Sequence, residues 1–225
     1  MKSKNNYVII IFLSFVTLVA CNNYLEKEEI SELLEFTNSK DIEVYDEGKD
    51  LVIDISESNL KDFEVCQLYS SSVAVTVFNI TNKSKKILFH DGTCIVNFLS
   101  SDSIKHTFRF PYTELFKIVD IYKTNQELLQ FICNKDRKLV EQKIDNSVVS
   151  SKDKELIVDA LINSDLCINN TDYINYGYYI DNENSLNTNM ISLYVNFTYP
   201  NGDVKNVIFN YLEKSKKLVG VEEIT

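Results

Sequence analysis

The chain contains no tryptophan, two prolines, five glycines and two histidines in 225 residues. Each scarcity removes a class of function. Without Trp, a dedicated sugar-stacking platform lacks its usual residue. With so few Gly, a backbone-cradled phosphate site has nothing to be built from, and Walker and Gly-x-Ser-x-Gly patterns are missing. His90 and His106 stand alone, no two cysteines are close enough for a CxxC motif, and no His/Cys cluster has metal-ligand spacing. No metal or other cofactor is therefore expected. Positive charge is also short: 23 Lys and Arg face 33 Asp and Glu. An acidic body lacks the basic footprint that phosphate backbones require, so no nucleic-acid partner is expected.

What is present begins at the N-terminus. Lys2 and Lys4 precede a mostly apolar run over residues 7–19, followed by Leu18-Val19-Ala20-Cys21. The run is short of the roughly 20 residues that a membrane-spanning helix needs. Its ending resembles the lipobox of bacterial lipoproteins; an uncleaved anchor helix or an ordinary secretory signal are the alternatives for the same residues. The resemblance implies that residues 1–20 are a signal peptide. Cys21 then becomes the mature N-terminus, carrying a thioether-linked diacylglycerol and an acylated amine, and several acyl chains together anchor stably. Asn22, where an Asp would imply inner-membrane retention, implies the outer membrane of a two-membrane bacterium, on its periplasmic or surface side, or the outer face of the cell membrane in a one-membrane species. Loss of Lys2 and Lys4 leaves 21 bases against 33 acids, a net charge of −12. The lipid is then what holds the body at a bilayer.

Four cysteines remain: Cys66, Cys94, Cys133 and Cys167. An even number in an oxidising compartment makes them disulfide candidates, and four allow three pairings. The competing reading is four buried thiols acting as small hydrophobes.

The rest reads as α+β, helices packed on a curved antiparallel sheet, in two small halves over 41–122 and 123–225 after a tether and short helix over 21–40. Ile30, Leu33 and Leu34 share a helical face in a segment that either docks or frays as a stalk. Residues 42–45 and 51–55 flank Asp46-Glu47-Gly48-Lys49-Asp50 as a hairpin. Leu60, Phe63, Cys66, Ser70, Val73, Val77 and Phe78 follow a 3.6-residue stripe, predicting a helix over 59–80 capped by Ser58-Asn59, although 73–80 is β-branched enough for a strand. Strands are expected over 93–99 and 104–110, a short helix or connector over 112–122, and a further helix opened by the capping box Thr124-Asn125-Gln126-Glu127 and running to about Val140 or Ile144. Ser150-Ser151 opens another, with Leu156, Ile157, Ala160 and Leu161 buried.

One hairpin can be registered. A two-residue Asn201-Gly202 turn would place Phe197 opposite Asn206 and turn Val207, Phe209 and Tyr211 to the polar face. A three-residue Pro200-Asn201-Gly202 loop pairs Val195 with Val207, Leu193 with Phe209 and Ile191 with Tyr211, giving one apolar face. The second register is predicted. With residues 173–180 and 218–221 it completes a four-stranded meander. Helices followed by such a meander resemble the cystatin-like or nuclear-transport-factor-like arrangement over residues 125–225, a resemblance of architecture that no motif carries and from which no function follows.

Candidate sites are few. His90-Asp91-Gly92-Thr93-Cys94 invites a nucleophile–base pairing of His90 and Cys94, but a two-residue Asp91-Gly92 loop would turn them to opposite faces. Asp181-Asn182-Glu183-Asn184-Ser185 is oxygen-rich without the Gly and Glu of a calcium loop. Tyr173, Tyr176, Tyr178 and Tyr179 crowd around Gly177, with simple alternation placing Tyr173 and Tyr179 on one face and Tyr176 and Tyr178 on the other. The leading expectation is a non-enzymatic cell-envelope lipoprotein, a protein-binding or assembly module whose partner is an envelope protein or polymer. Second is a ligand- or glycan-binding module using the concave sheet face, and third an enzyme of unspecified class.

Overall fold

The computed structural model describes residues 24–60, 62–83, 91–100, 103–167, 172–181 and 189–224. The chain is α+β, with helices and two four-stranded sheets. Helix α1 (Lys27–Thr37) starts with a capping box in which Glu29 accepts the Glu26 N–H at 2.7 Å, and it ends at Asn38 in the left-handed conformation. Tyr24, Leu25 and Leu33 are buried and Phe36 stacks on Tyr69, so this segment docks from its first turn.

Strands β1 (Asp41–Glu47) and β2 (Asp50–Ser56) form the expected hairpin, with Gly48 at φ +70 beside the Glu47–Asp50 closing pair. Ile42, Leu51, Ile53 and Ile55 point to one face and are buried there. Helix α2 (Phe63–Lys83) follows, and its residues explain the mixed sequence signal. Its first turn is exposed, but from Ser70 to Phe78 it is buried nearly all round, so both its helical stripe and its β-branched residues serve as core there. Asp62, rather than Ser58 or Asn59, receives the free N–H groups of the first turn. Ser70 and Ser71 give their hydroxyls to the helix carbonyls of Gln67 and Leu68 at 2.7 Å, which lets polar residues sit in the core.

Because α2 carries the chain back across the sheet, β3 (Thr93–Ser100) runs parallel to β2; β4 (Ser103–Pro111) then pairs antiparallel. The first sheet is therefore mixed where a purely antiparallel one was expected. Gly92 is required at its entry, since a Cβ there would lie 2.2 Å from the Lys49 carbonyl oxygen.

The next two helices were expected to be separated at residue 123. Instead α3 (Tyr112–Cys133) is continuous, and the division between halves falls inside it. The Thr124 hydroxyl bonds to the Asp120 carbonyl one turn back and Asn125 is buried, so the capping-box residues serve as ordinary interior helix positions. The helix stops at Cys133, well before Val140, where Lys135 turns into the left-handed region. A separate α4 (Arg137–Lys143) begins with Asp136 accepting the Leu139 N–H. Helix α5 (Ser151–Ile162) is capped by Ser150, as predicted.

The C-terminal meander has the order β5 (Asp172–Asp181), β6 (Met190–Thr198), β7 (Val204–Leu212), β8 (Leu218–Ile224). Val195 pairs with Val207, Leu193 with Phe209 and Ile191 with Tyr211. The loop closes through Tyr199 N–H to the Asp203 carbonyl and Gly202 N–H to the Tyr199 carbonyl, with Gly202 at φ +87. The three-residue register is the observed one. It sends Phe197, Val207, Phe209 and Tyr211 into a buried cluster with Leu128, Leu129, Ile132 and Val140. Buried Tyr211 donates to Asn125 Oδ1 at 2.7 Å, fixing α3 against the sheet.

The halves lock through α2 and β5. Ser72 donates to the Asn175 carbonyl at 2.9 Å and Ser71 accepts the Tyr178 N–H at 3.0 Å. Gly177 permits this approach: a Cβ there would stand 2.6 Å from the Leu68 carbonyl oxygen.

Candidate functional site

The residues singled out in the sequence do not converge. Cys21, His90 and residues 182–185 lie outside the described residues, and the side chain of Tyr176 does too. The β5–β6 register shifts between Asn175 and Gly177, stepping past Tyr176. That extra residue inverts the alternation. Tyr173 and Tyr178 pair with Phe197 and Leu193 on the helix-covered face, while Tyr179 pairs with Ser192 on the opposite one. The expectation that Tyr173 and Tyr179 share a face is corrected accordingly. Tyr178 is buried and donates to Glu114 at 2.6 Å, and burial followed by the Glu114 charge holds its phenol strongly protonated. It is a structural tyrosine; Tyr179 is open to solvent.

The cysteines divide in two. Cys133 and Cys167 are bonded, tying the end of α3 to the segment after α5. Cys66 and Cys94 are free and buried, and desolvation raises both thiols, keeping them out of the thiolate form at neutral pH. His106 packs among Phe63 and Phe108. Among the described residues no His, Cys, Asp and Glu group is arranged to hold a metal ion, and no helix is long and apolar enough to cross a membrane.

Among the described residues a groove lies on each face of the C-terminal sheet. The first, of about 340 Å³, lies between α5 and strands β7 and β8. Leu156, Ile157, Ala160, Leu161, Leu166, Val207 and Val221 line it, with Lys205 and Glu223 at its rim. Its origin corrects the reading of α5. That helix buries Val158 and Leu161, while Leu156 is 58% exposed and Ala160 is open as well. An apolar stripe suited to a core is left facing a cleft. The rim is a charge cluster in which Lys205 reaches both Asp165 and Glu223 at 3.1 Å. The Lys205 ammonium holds the Asp165 carboxyl below its ordinary range.

The second groove, of about 350 Å³, runs over the opposite face beside α2. Leu68 and Tyr69 form its wall, and Tyr194, Asn196, Asn206 and Ile224 lie along it. A ladder of side chains stiffens the same face: Ser192 donates to Asn210 at 2.7 Å and Asn210 to Glu222 at 2.8 Å. Burial, then the Glu222 and Tyr179 charges, raise the Tyr194 phenol.

Neither groove was anticipated. The apolar stripe of α5 was visible in sequence, but its exposure depends on how far β7 and β8 reach beneath it. The Tyr194–Asn196 pair was visible only as the polar face of an alternating strand. Compared with protein-family models, curated proteins and solved structures, the chain matches none.

Proposed function

We propose that this chain is a cell-envelope lipoprotein, anchored through Cys21, whose folded body is a non-enzymatic module for binding a partner protein. The observation that carries the binding role is the open cleft beside α5. Exposed Leu156 and Ala160, on a helix that buries Val158 and Leu161, leave apolar surface that a partner would cover, and apolar anchors ringed by charge are the usual composition of an interface centre. The Cys133–Cys167 bond supports the address, since structural disulfides belong to oxidising compartments.

Two measurements test this reading. Cys21→Ser should abolish lipid labelling and release the protein from membranes; retained labelling refutes the anchor. Leu156→Asp, at an exposed position, should leave the fold intact and abolish co-purification of an envelope protein with the wild-type chain. Unchanged co-purification refutes the cleft. The Tyr69–Tyr194–Asn196–Asn206 groove favours a second reading, a glycan-binding module. Tyr194→Ala would then remove retention on a cell-wall polysaccharide column while Leu156→Asp would not.

A further inference from the structure

The two edges of the C-terminal sheet are treated differently. Along β5, hydroxyls from α2 meet the strand's backbone at Asn175 and Tyr178. Along β8, one parallel bridge joins Ile144 to Leu218, with the Asp145 N–H donating to the Leu218 carbonyl at 2.9 Å. Beyond that bridge, no described strand pairs with the outer edge of residues 219–224. A sheet edge in this state presents a row of backbone donors and acceptors to any extended chain.

The flanks of this edge matter as much as its backbone. On one face Val221 and Glu223 border the α5 cleft, and on the other Ile224 borders the groove containing Asn206. Successive side chains of an added strand point to opposite faces, so such a strand would offer its residues alternately to the two grooves. Strand addition works in this way, with main-chain hydrogen bonds giving affinity and alternate pockets giving specificity.

Charge selects the occupant. Glu222 and Glu223 are exposed on the edge strand, and Asp165 stands at the cleft mouth. Lys205, the cation of that rim among the described residues, is held between Asp165 and Glu223. A second copy pairing antiparallel through β8 would bring these carboxylates together, which is unfavourable. We propose that β8 accepts an extended, basic segment of a partner protein as a fifth strand, with an apolar side chain seated against Leu156 and Val221. The proposal rests on the protein-binding reading above and specifies its partner's form and charge.

The test selects a phage-displayed library of random decapeptides on the full chain in mild detergent. Selected peptides should combine Lys or Arg with an apolar residue at alternating positions and protect amides of residues 219–224 from hydrogen exchange. Leu156→Asp, and separately Glu222→Lys with Glu223→Lys, should each weaken binding at least tenfold. The peptide is then resynthesised with its odd or its even amides N-methylated. Strand addition requires that one set abolishes binding and the other leaves it within a fewfold, because only alternate amides face the sheet. Equal sensitivity of both sets, protection centred on the Tyr194 groove, enrichment of acidic peptides, or no enrichment would each overturn the proposal. If strand addition fails while Leu156→Asp still removes the co-purifying protein, the binding reading survives without it; if both fail, both fall.

Discussion

Removal of the Cys133–Cys167 bond is the perturbation whose size follows most directly from the structure. The bond closes a loop spanning 34 residues that contains α4 and α5. In the chain-entropy account, a cross-link closing a loop of that size stabilises the fold by about 3.8 kcal/mol. Unfolding entropy near 2.1 cal/mol/K per residue gives about 0.42 kcal/mol/K for a body of roughly 200 residues, so the loss corresponds to a fall of about 9 °C in Tm. Cys133 is exposed and Cys167 half-buried, so a reductant reaches the bond in the folded state. The assay is a thermal melt of Cys21→Ser protein with and without reductant, beside Cys133→Ala/Cys167→Ala. Thiol titration of the unfolded protein should count two thiols before reduction, from Cys66 and Cys94, and four after it. Four thiols before reduction, or a Tm unmoved by reductant, would refute the reasoning.

Three further outcomes are expected. Tyr211→Phe removes the hydroxyl that buried Asn125 accepts, and should destabilise by about 1–3 kcal/mol in urea titration, whereas a change below a few tenths would deny the bond its role. Gly177→Ala drives a methyl toward the Leu68 backbone and should cost about 1–3 kcal/mol; a neutral result would show that α2 and β5 separate freely. The third concerns acid. Hydrogen bonds from Ser147 and Ser215 depress Asp145, Lys205 depresses Asp165, and Lys117 depresses Glu213. Carboxyls held below their unfolded values contribute stability above the ordinary carboxylate pKa of about 4 and lose it as pH falls through the folded values. The urea midpoint should therefore stay level from pH 7 to 5 and drop below about pH 4, and a midpoint equal at pH 3 and pH 7 would contradict the assignment.

Much of the fold was legible because single constraints were decisive. The Pro200-Asn201-Gly202 loop fixed the β6–β7 register, since only three loop residues bring Val207, Phe209 and Tyr211 onto the face of Val195 and Leu193. Ser150 capped α5 as its position suggested. Misreadings arose where tertiary contacts overrode local signals. Thr124 to Glu127 has the pattern of a helix start, yet the segment continues α3, because Tyr211 meets Asn125 inside the core. Simple alternation puts Tyr173 and Tyr179 on one face, but one unpaired residue at 176, admitted beside Gly177 where α2 presses on the strand, reverses the parity. The α5 stripe has the spacing of a core face, and spacing alone does not say whether the core extends under it. The α5 cleft was for that reason the least legible feature of the chain.

Photo-crosslinking in cells tests the central claim most directly. A photoreactive side chain is placed at Leu156, facing the cleft, or at Lys154, which lines a separate groove on the other side of the same helix, in the chain bearing native Cys21. The account predicts one discrete envelope-protein adduct from position 156, absent from position 154 and lost when Cys21→Ser detaches the chain. Adducts of equal yield at both positions, or none at position 156, would contradict it.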